Sequence, residues 1–267
     1  SIDAGTSTVA LGAVGDSGSL EIHTLEVTGD GGITLSGDIY TSQDGTAANI
    51  TFNDTVKIDG TVVIDSNDSS NDGTITFTTG IEGLDGSGDN LTIEGGTAAV
   101  TLVPIGVNTA LSSLTIANAT TSTAVITVPN IGSGAIGNVA GAGVTGAVSI
   151  GNTSADSIVM SGNIYKTGGA ITLTTEGGND AADIEIDFTK EAAVFIATSG
   201  DNVSLVGGDV SLANGSHLTI DTNIANSGET NGGNISIAGG IDGTSDENLT
   251  LDAHSTGTGT ITLAKVG

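Results

Sequence analysis

The chain is patterned in short units of apolar, polar, apolar residues separated by turn formers, as in Ile33-Thr34-Leu35, Ile50-Thr51-Phe52, Ile75-Thr76-Phe77 and Leu91-Thr92-Ile93. The same alternation returns at Val148-Ser149-Ile150, Ile171-Thr172-Leu173, Ile235-Ser236-Ile237, Leu249-Thr250-Leu251 and Ile261-Thr262-Leu263. A period of two sends alternate side chains to opposite faces of a strand. About twenty such strands, roughly 8 to 15 residues apart, cover the chain from end to end. The alternation predicts that Ile33, Leu35, Ile50, Phe52, Ile75, Phe77, Leu91, Ile93, Ile235, Ile237, Leu249 and Leu251 point into one continuous, narrow core.

Strands at this spacing suit a sandwich, a string of immunoglobulin-like modules or a solenoid, and internal repeats arbitrate. GTITFTTGIEGLDGSGDNLTIEGG from Gly73 is echoed by GNISIAGGIDGTSDENLTLDAHS from Gly233, and SGDIYTSQ from Ser36 by SGNIYKTG from Ser161. The second pair holds the only two tyrosines, Tyr40 and Tyr165. These matches divide the chain into one module over residues 1–106 and a second over 107–267. The second has gained strand-bearing sequence that includes Val194 to Ile196 and Val203 to Leu205. A solenoid accepts added coils because each contacts only its neighbours, whereas extra strands would disturb a closed sandwich. The expected fold is therefore all-β, a parallel β-solenoid forming one continuous rod. Roughly 20 to 27 residues per coil would give about ten to thirteen coils and, at about 4.8 Å each, a length of about 50 to 60 Å.

Composition narrows the picture further. Glycine supplies 43 of 267 residues, aromatics only 2%, and there is no Cys or Trp, so long helices and a wide globular core both lack their usual materials. With 37% hydrophobic residues the chain still has apolar surface to bury and should fold. A formal charge of −27 argues against nucleic acid or an anionic membrane as partner, and no run of about 18 apolar residues could span a bilayer. The absence of Cys is compatible with export through an oxidising compartment. The chain opens at Ser1 with neither an initiator Met nor a signal peptide, and is read as a processed or excised segment.

LGAVGDSGSLEIHTLEVTGDGGITLSGDIYTS from Leu11 and TALSSLTIANATTSTAVITV from Thr109 resemble the β-strand repeat regions of filamentous-haemagglutinin-like adhesins and large autotransporter-type proteins. The resemblance covers most of the chain as a style of repeat. It implies a right-handed parallel β-helix on the outside of a Gram-negative-type cell, serving as a stalk, adhesin or matrix fibre. No binding residue of the family carries over.

Few residues offer chemistry. His23, His217 and His254 lie far apart, without metal or triad spacing. Lys57, Lys166, Lys190 and Lys265 are the only basic residues beside them, too few for the mixed acidic, basic and aromatic groove of a β-helical polysaccharide enzyme. No enzymatic activity and no required cofactor are expected. Calcium is the one ion to weigh. Asp68, Ser70 and Asp72 alternate before Gly73 like the first half of an EF-hand loop, but Thr79 stands where its bidentate Glu belongs. A second alternation, Asp85, Ser87 and Asp89, recurs as Asp242, Thr244 and Asp246. Turn chemistry accounts for the same residues without a metal. Asn-x-Ser/Thr occurs at Asn49, Asn90, Asn118, Asn202, Asn234 and Asn248, where a turn enters a strand, so a corner role competes with glycosylation. Thr74, Thr76 and Thr78 share one strand face, as do Thr256, Thr258, Thr260 and Thr262. Such ranks do not recur coil after coil along the sequence, so an ice-binding plane is not expected.

The expected role is structural, at the cell surface or outside the cell, with a carbohydrate- or protein-binding adhesin module as the alternative. The chain itself, joined head to tail, is the expected partner, with a host or matrix surface as another. Neither terminus carries a cap of the kind that shields a solenoid's last coil, and Ile105 to Leu111 resembles Val266-Gly267 joined to Ser1-Ile2.

Overall fold

The computed structural model describes the chain except residues 17–21, 42–47, 68–71, 119–124, 135–140, 154, 156, 177–183, 224–231, 244, 255–258 and 267. Among the described residues there are 27 strands and no helix. All strands pair in parallel, each with the strand one coil above or below. The architecture is the expected parallel β-solenoid.

The chain visits three faces in constant order. Ten strands stack on the first, from Ile2–Asp3 to Ile241–Gly243, and nine on the third, from Ile39–Tyr40 to Ile261–Leu263. The second face has two four-stranded stretches, Val9–Leu11 to Ile81–Gly83 and Ile164–Lys166 to Asn248–Asp252. Single-residue bridges through Ile105 and Ile131 link them, so the sheets run on through the middle of the chain. Register partners one coil apart are separated by 23 residues from Ile93 to Ile116 and by 34 from Ile116 to Ile150. Coils longer than expected hold the number to ten, a rod about 48 Å long at about 4.8 Å per coil.

Inward residues stack on their counterparts. Val27, Phe52 and Phe77 form one column, and the two phenyl rings lie 5.3 Å apart at 27°. Of the twelve residues expected in the core, ten are buried, each contributing about 1.5 to 3 kcal/mol. Leu249 and Leu251 pack against the same core but are half-buried, because their strand, Asn248–Asp252, is paired on one side only.

The corners are where Gly, Asn and the small hydroxyls act. Gly73 presses on the coil below so closely that a Cβ would lie 2.0 Å from the Ala48 carbonyl oxygen, while the Asn49 amide oxygen accepts the Thr74 N–H at 2.9 Å. Gly233 repeats this against the Asp201 carbonyl at 2.0 Å, with the Asn202 amide oxygen accepting the Asn234 N–H at 2.7 Å. Longer corner loops are cinched at their base by a buried hydroxyl: Thr41 donates to the Ala48 carbonyl at 2.6 Å, Ser66 to Gly73 at 2.5 Å and Thr222 to Gly233 at 2.8 Å.

The repeats do not occupy equivalent faces. The strands that follow Gly73, namely Ile75–Phe77, Ile81–Gly83 and Asn90–Gly96, lie on the first, second and third faces. Those that follow Gly233, namely Ile235–Ile237, Ile241–Gly243 and Asn248–Asp252, lie on the third, first and second. The tyrosine match also shifts by one face, and there the side chains reverse. Tyr40 points outward on the third face with Ile39 buried. Tyr165 is buried on the second face, donating to the Val128 carbonyl at 3.1 Å and accepting the Gly162 N–H at 2.7 Å. A one-residue slip inverts every side chain of a strand, so these two tyrosines are not structural counterparts.

Gly73→Ala and Gly233→Ala should each lower stability by about 2 kcal/mol or more, since the new methyl meets rigid backbone. Gly12→Ala, with nothing near its Cβ, should be near neutral. Urea unfolding of the three variants checks this.

Candidate functional site

Of the calcium candidates, Asp72, Asp85 and Asp89 each accept hydrogen bonds that hold a turn. Asp68 lies outside the described residues. The Asp72 carboxylate accepts both the backbone N–H and the hydroxyl of Thr97, at 2.5 and 2.6 Å, lying over Gly96 one coil on. Asp85 accepts the Ser87 N–H at 2.9 Å within its own turn. Asp89 is buried and accepts three backbone N–H groups, from Gly60 at 3.2 Å, Asp85 at 3.2 Å and Gly86 at 3.0 Å. Calcium takes six to eight oxygens, and these lone pairs are directed at amide hydrogens instead.

The apparent recurrence of this motif is one of letters only. Asn90 and Asn248 open equivalent strands, so the counterpart of Asp89 is Glu247, not Asp246. Glu247 accepts the Ser245 N–H at 2.7 Å and lies over Gly243, as Asp89 lies over Gly83. Asp242 corresponds instead to Glu82, which is buried and accepts the backbone N–H groups of Asn108 and Thr109 at 3.1 and 2.8 Å. Asp242 and Asp246 are exposed, and Thr244 lies outside the described residues. No three His, Cys, Asp or Glu side chains gather as a metal site among the described residues.

The other reactive groups are dispersed. His23 bonds the Thr24 hydroxyl at 2.9 Å and His217 the Asn248 amide at 2.9 Å. Lys57, Lys190 and Lys265 are exposed. Lys166 is buried and donates to the Ser133 carbonyl at 3.0 Å, and burial pushes its ammonium below the ordinary lysine range. Of the Asn-x-Ser/Thr sites, Asn49, Asn90, Asn202, Asn234 and Asn248 bond across corners, and the Asn118 side chain lies outside the described residues. The Asn234 amide oxygen accepts both the N–H and the hydroxyl of Thr260, at 3.0 and 2.8 Å, and that of Asn90 accepts the Ser113 hydroxyl at 2.7 Å.

Register brings together residues that sequence spacing kept apart. On the third face Thr92, Thr115, Ser149, Thr172, Ser204, Ser236 and Thr262 are consecutive partners, an unbroken outward rank of hydroxyls over seven coils. On the first face Thr51, Thr76, Thr101 and Thr127 form a second rank. The expectation that hydroxyl ranks do not recur from coil to coil is thus overturned. Coil lengths between 23 and 34 residues hide the recurrence in the linear sequence. Thr256 and Thr258 lie outside the described residues.

Two further features were missed from sequence. At one end of the rod a cleft of about 340 Å³ is lined by Leu212, Ile241, Gly243, Ser245, Glu247, Leu249 and Val266. On the second face Asp221 stacks on Asp252. Burial first, and then the neighbouring Asp252, raise the Asp221 carboxyl above the ordinary aspartate range, opposed by the N–H of Asn223. Finding either requires the register. No protein-family model, curated protein or solved structure matches the chain.

Asp89→Asn should cost about 1 to 3 kcal/mol, because its new NH₂ faces backbone donors. The loss in urea should be the same with calcium and with chelator, and a calcium-dependent loss would assign Asp89 to a metal. Asp221 has a raised folded-state pKa, so its stabilising protonation is complete below about 3.8 and is lost as pH rises through the raised value. Asp221→Asn should therefore raise Tm at pH 7, and the gain should vanish below about pH 3.8. A gain independent of pH would point to packing instead.

Proposed function

We propose that this chain is a structural, non-catalytic segment of an extracellular or cell-surface protein, a β-solenoid stalk, adhesin or fibre that spans distance. The carrying observation is the unbroken three-faced stack of ten coils, whose strands are paired lengthwise while polar side chains serve corners and turns. The absence of Cys and the acidic surface suit an exported rod, as does the resemblance to adhesin repeats.

The rod's partner is a further coil, from a continuing chain or from a second copy. Leu249, Leu251 and Leu263 in the last coil are half-buried, Ile261 and Val266 are exposed, and the cleft beside them is apolar in part. A coil placed there would pair the open strand edges and cover these side chains. The adhesin alternative gains support from the uncharged hydroxyl face, which is a surface for contact rather than for turn formation.

Electron microscopy of the isolated chain should show rods about 48 Å long and, at high protein concentration, end-on multiples of that length that Leu251→Asp abolishes. Single rods at every concentration would sink end-on assembly. A compact particle without a long axis would sink the structural reading itself.

A further inference from the structure

The acidic residues are unevenly placed. Sixteen of the 31 precede residue 95, none lies between Glu94 and Asp156, and the other fifteen follow. The charge-free run covers two whole coils, including the first-face strands Val100–Thr101 and Val125–Val128 and the third-face strands Ser113–Asn118 and Val148–Gly151. On the third face the neutrality continues to the end of the rod. Beyond the hydroxyl rank, the outward neighbours in the last four strands are Ala170 and Thr174, Asn202 and Val206, Asn234 and Ala238, and Thr260 and Ala264. Val206 is 41% exposed. In the earlier coils the same column holds Asp65 and Glu94 in register.

We propose that the third face over the last six coils docks a second copy of this chain, side by side and antiparallel. The inference rests on the rod reading but not on end-on assembly. Charge selects the occupant and the orientation. Two copies that each carry −27 repel wherever acids meet, and among the described residues this face offers the longest run of strands, six, without an outward acid, against five on the first face. A parallel, in-register pair would set Asp65 and Glu94 against their own copies. An antiparallel pair centred between the strands Ile171–Thr174 and Val203–Val206 overlaps only coils whose outward third-face residues are uncharged, their acids lying on the other faces and corners, and the four coils that include Asp65 and Glu94 overhang at opposite ends of the pair. The symmetry is twofold, with each patch meeting itself. Side chains no larger than Val keep the face flat, so two sheets can approach to about 10 Å with hydroxyls and methyls interleaved.

The footprint sets the strength. Six strands about 4.8 Å apart, each presenting about five residues at about 3.3 Å, cover roughly 400 to 500 Å² per partner. A stable dimer uses about 800 Å², so an isolated pair is weak and is held apart chiefly by the acidic remainder of the rods. Salt shortens the reach of that repulsion to about 3 Å at 1 M, and pairing should therefore tighten as salt rises, opposite to an association driven by ion pairs.

Sedimentation equilibrium of the full chain from about 0.02 to 1 M sodium chloride should show a monomer–dimer equilibrium whose Kd falls at least tenfold across the range. Thr172→Asp combined with Ser204→Asp, both outward on this face, should weaken pairing at least tenfold in high salt. Thr51→Asp with Thr76→Asp on the first face should leave it unchanged, and circular dichroism melts verify that all variants fold. Because the chain has no Cys, orientation can be read by thiol crosslinking with a short bismaleimide. Thr115→Cys mixed with Thr262→Cys should crosslink, and neither should do so alone. Pairs should measure about 67 Å end to end, fourteen coil spacings of about 4.8 Å, whereas end-on pairs would be twice the single rod. Monomers at every salt concentration, indifference to the third-face aspartates, or Thr115→Cys crosslinking to itself would each overturn the proposal. So would a monomer that adheres to ice or crystalline polysaccharide and loses that adhesion with the same aspartates, because the face would then belong to a solid surface.

Discussion

Axial stacking governs this molecule: every inward side chain must sit on a like side chain one coil away, at the spacing a parallel ladder imposes. The column of Val27, Phe52 and Phe77 shows how narrow the resulting core is, with rings stacked along the axis rather than packed from several directions. Such a core has no room for an unpaired charge, and polar function moves to corners and outward ranks. The carboxylates of Asp89 and Glu82 can be buried because three backbone N–H groups converge on the first, and two with the Asn108 side-chain amide on the second.

The corners allow the stack to survive irregular sequence. Coils of 23 and of 34 residues stack next to one another, and in other coils a corner loop is closed at its base by a buried hydroxyl, Thr41, Ser66 or Thr222. Asparagines then hand hydrogen bonds upward, Asn202 to the N–H of Asn234 and Asn234 to that of Thr260, so that one corner becomes a continuous polar seam. Local propensity and global register agree here, which is the condition for a single well-defined fold.

Strands and core were legible in the sequence because inward residues such as Ile50 and Phe52 alternate strictly with polar ones, a local property. Register was not, since it depends on how much chain each corner absorbs. That is why Asp242 and Asp246 looked like counterparts of Asp85 and Asp89, although Glu247 occupies the place of Asp89. The same difficulty hid the rank from Thr92 to Thr262, whose members are unevenly spaced in sequence and adjacent in space. Tyr40 and Tyr165 sit in matching words, yet one points out, its hydroxyl 3.5 Å from Asp38, and the other in, its hydroxyl bonded to the Val128 carbonyl and the Gly162 N–H.

The one-face displacement between the segments after Gly73 and Gly233 bears on how such a chain could have grown. If a strand and its corner fold alike on any of the three faces, a tandem duplication in the gene need not be a whole number of turns to yield a foldable product. Unequal crossing-over could add a third of a turn, two thirds or a full one, and the added piece would still find neighbours to stack on. Selection would then act on where outward residues fall, because each such event re-deals which side chains share a face. A long rod of this type can change its surface pattern by recombination alone, before any amino acid is substituted.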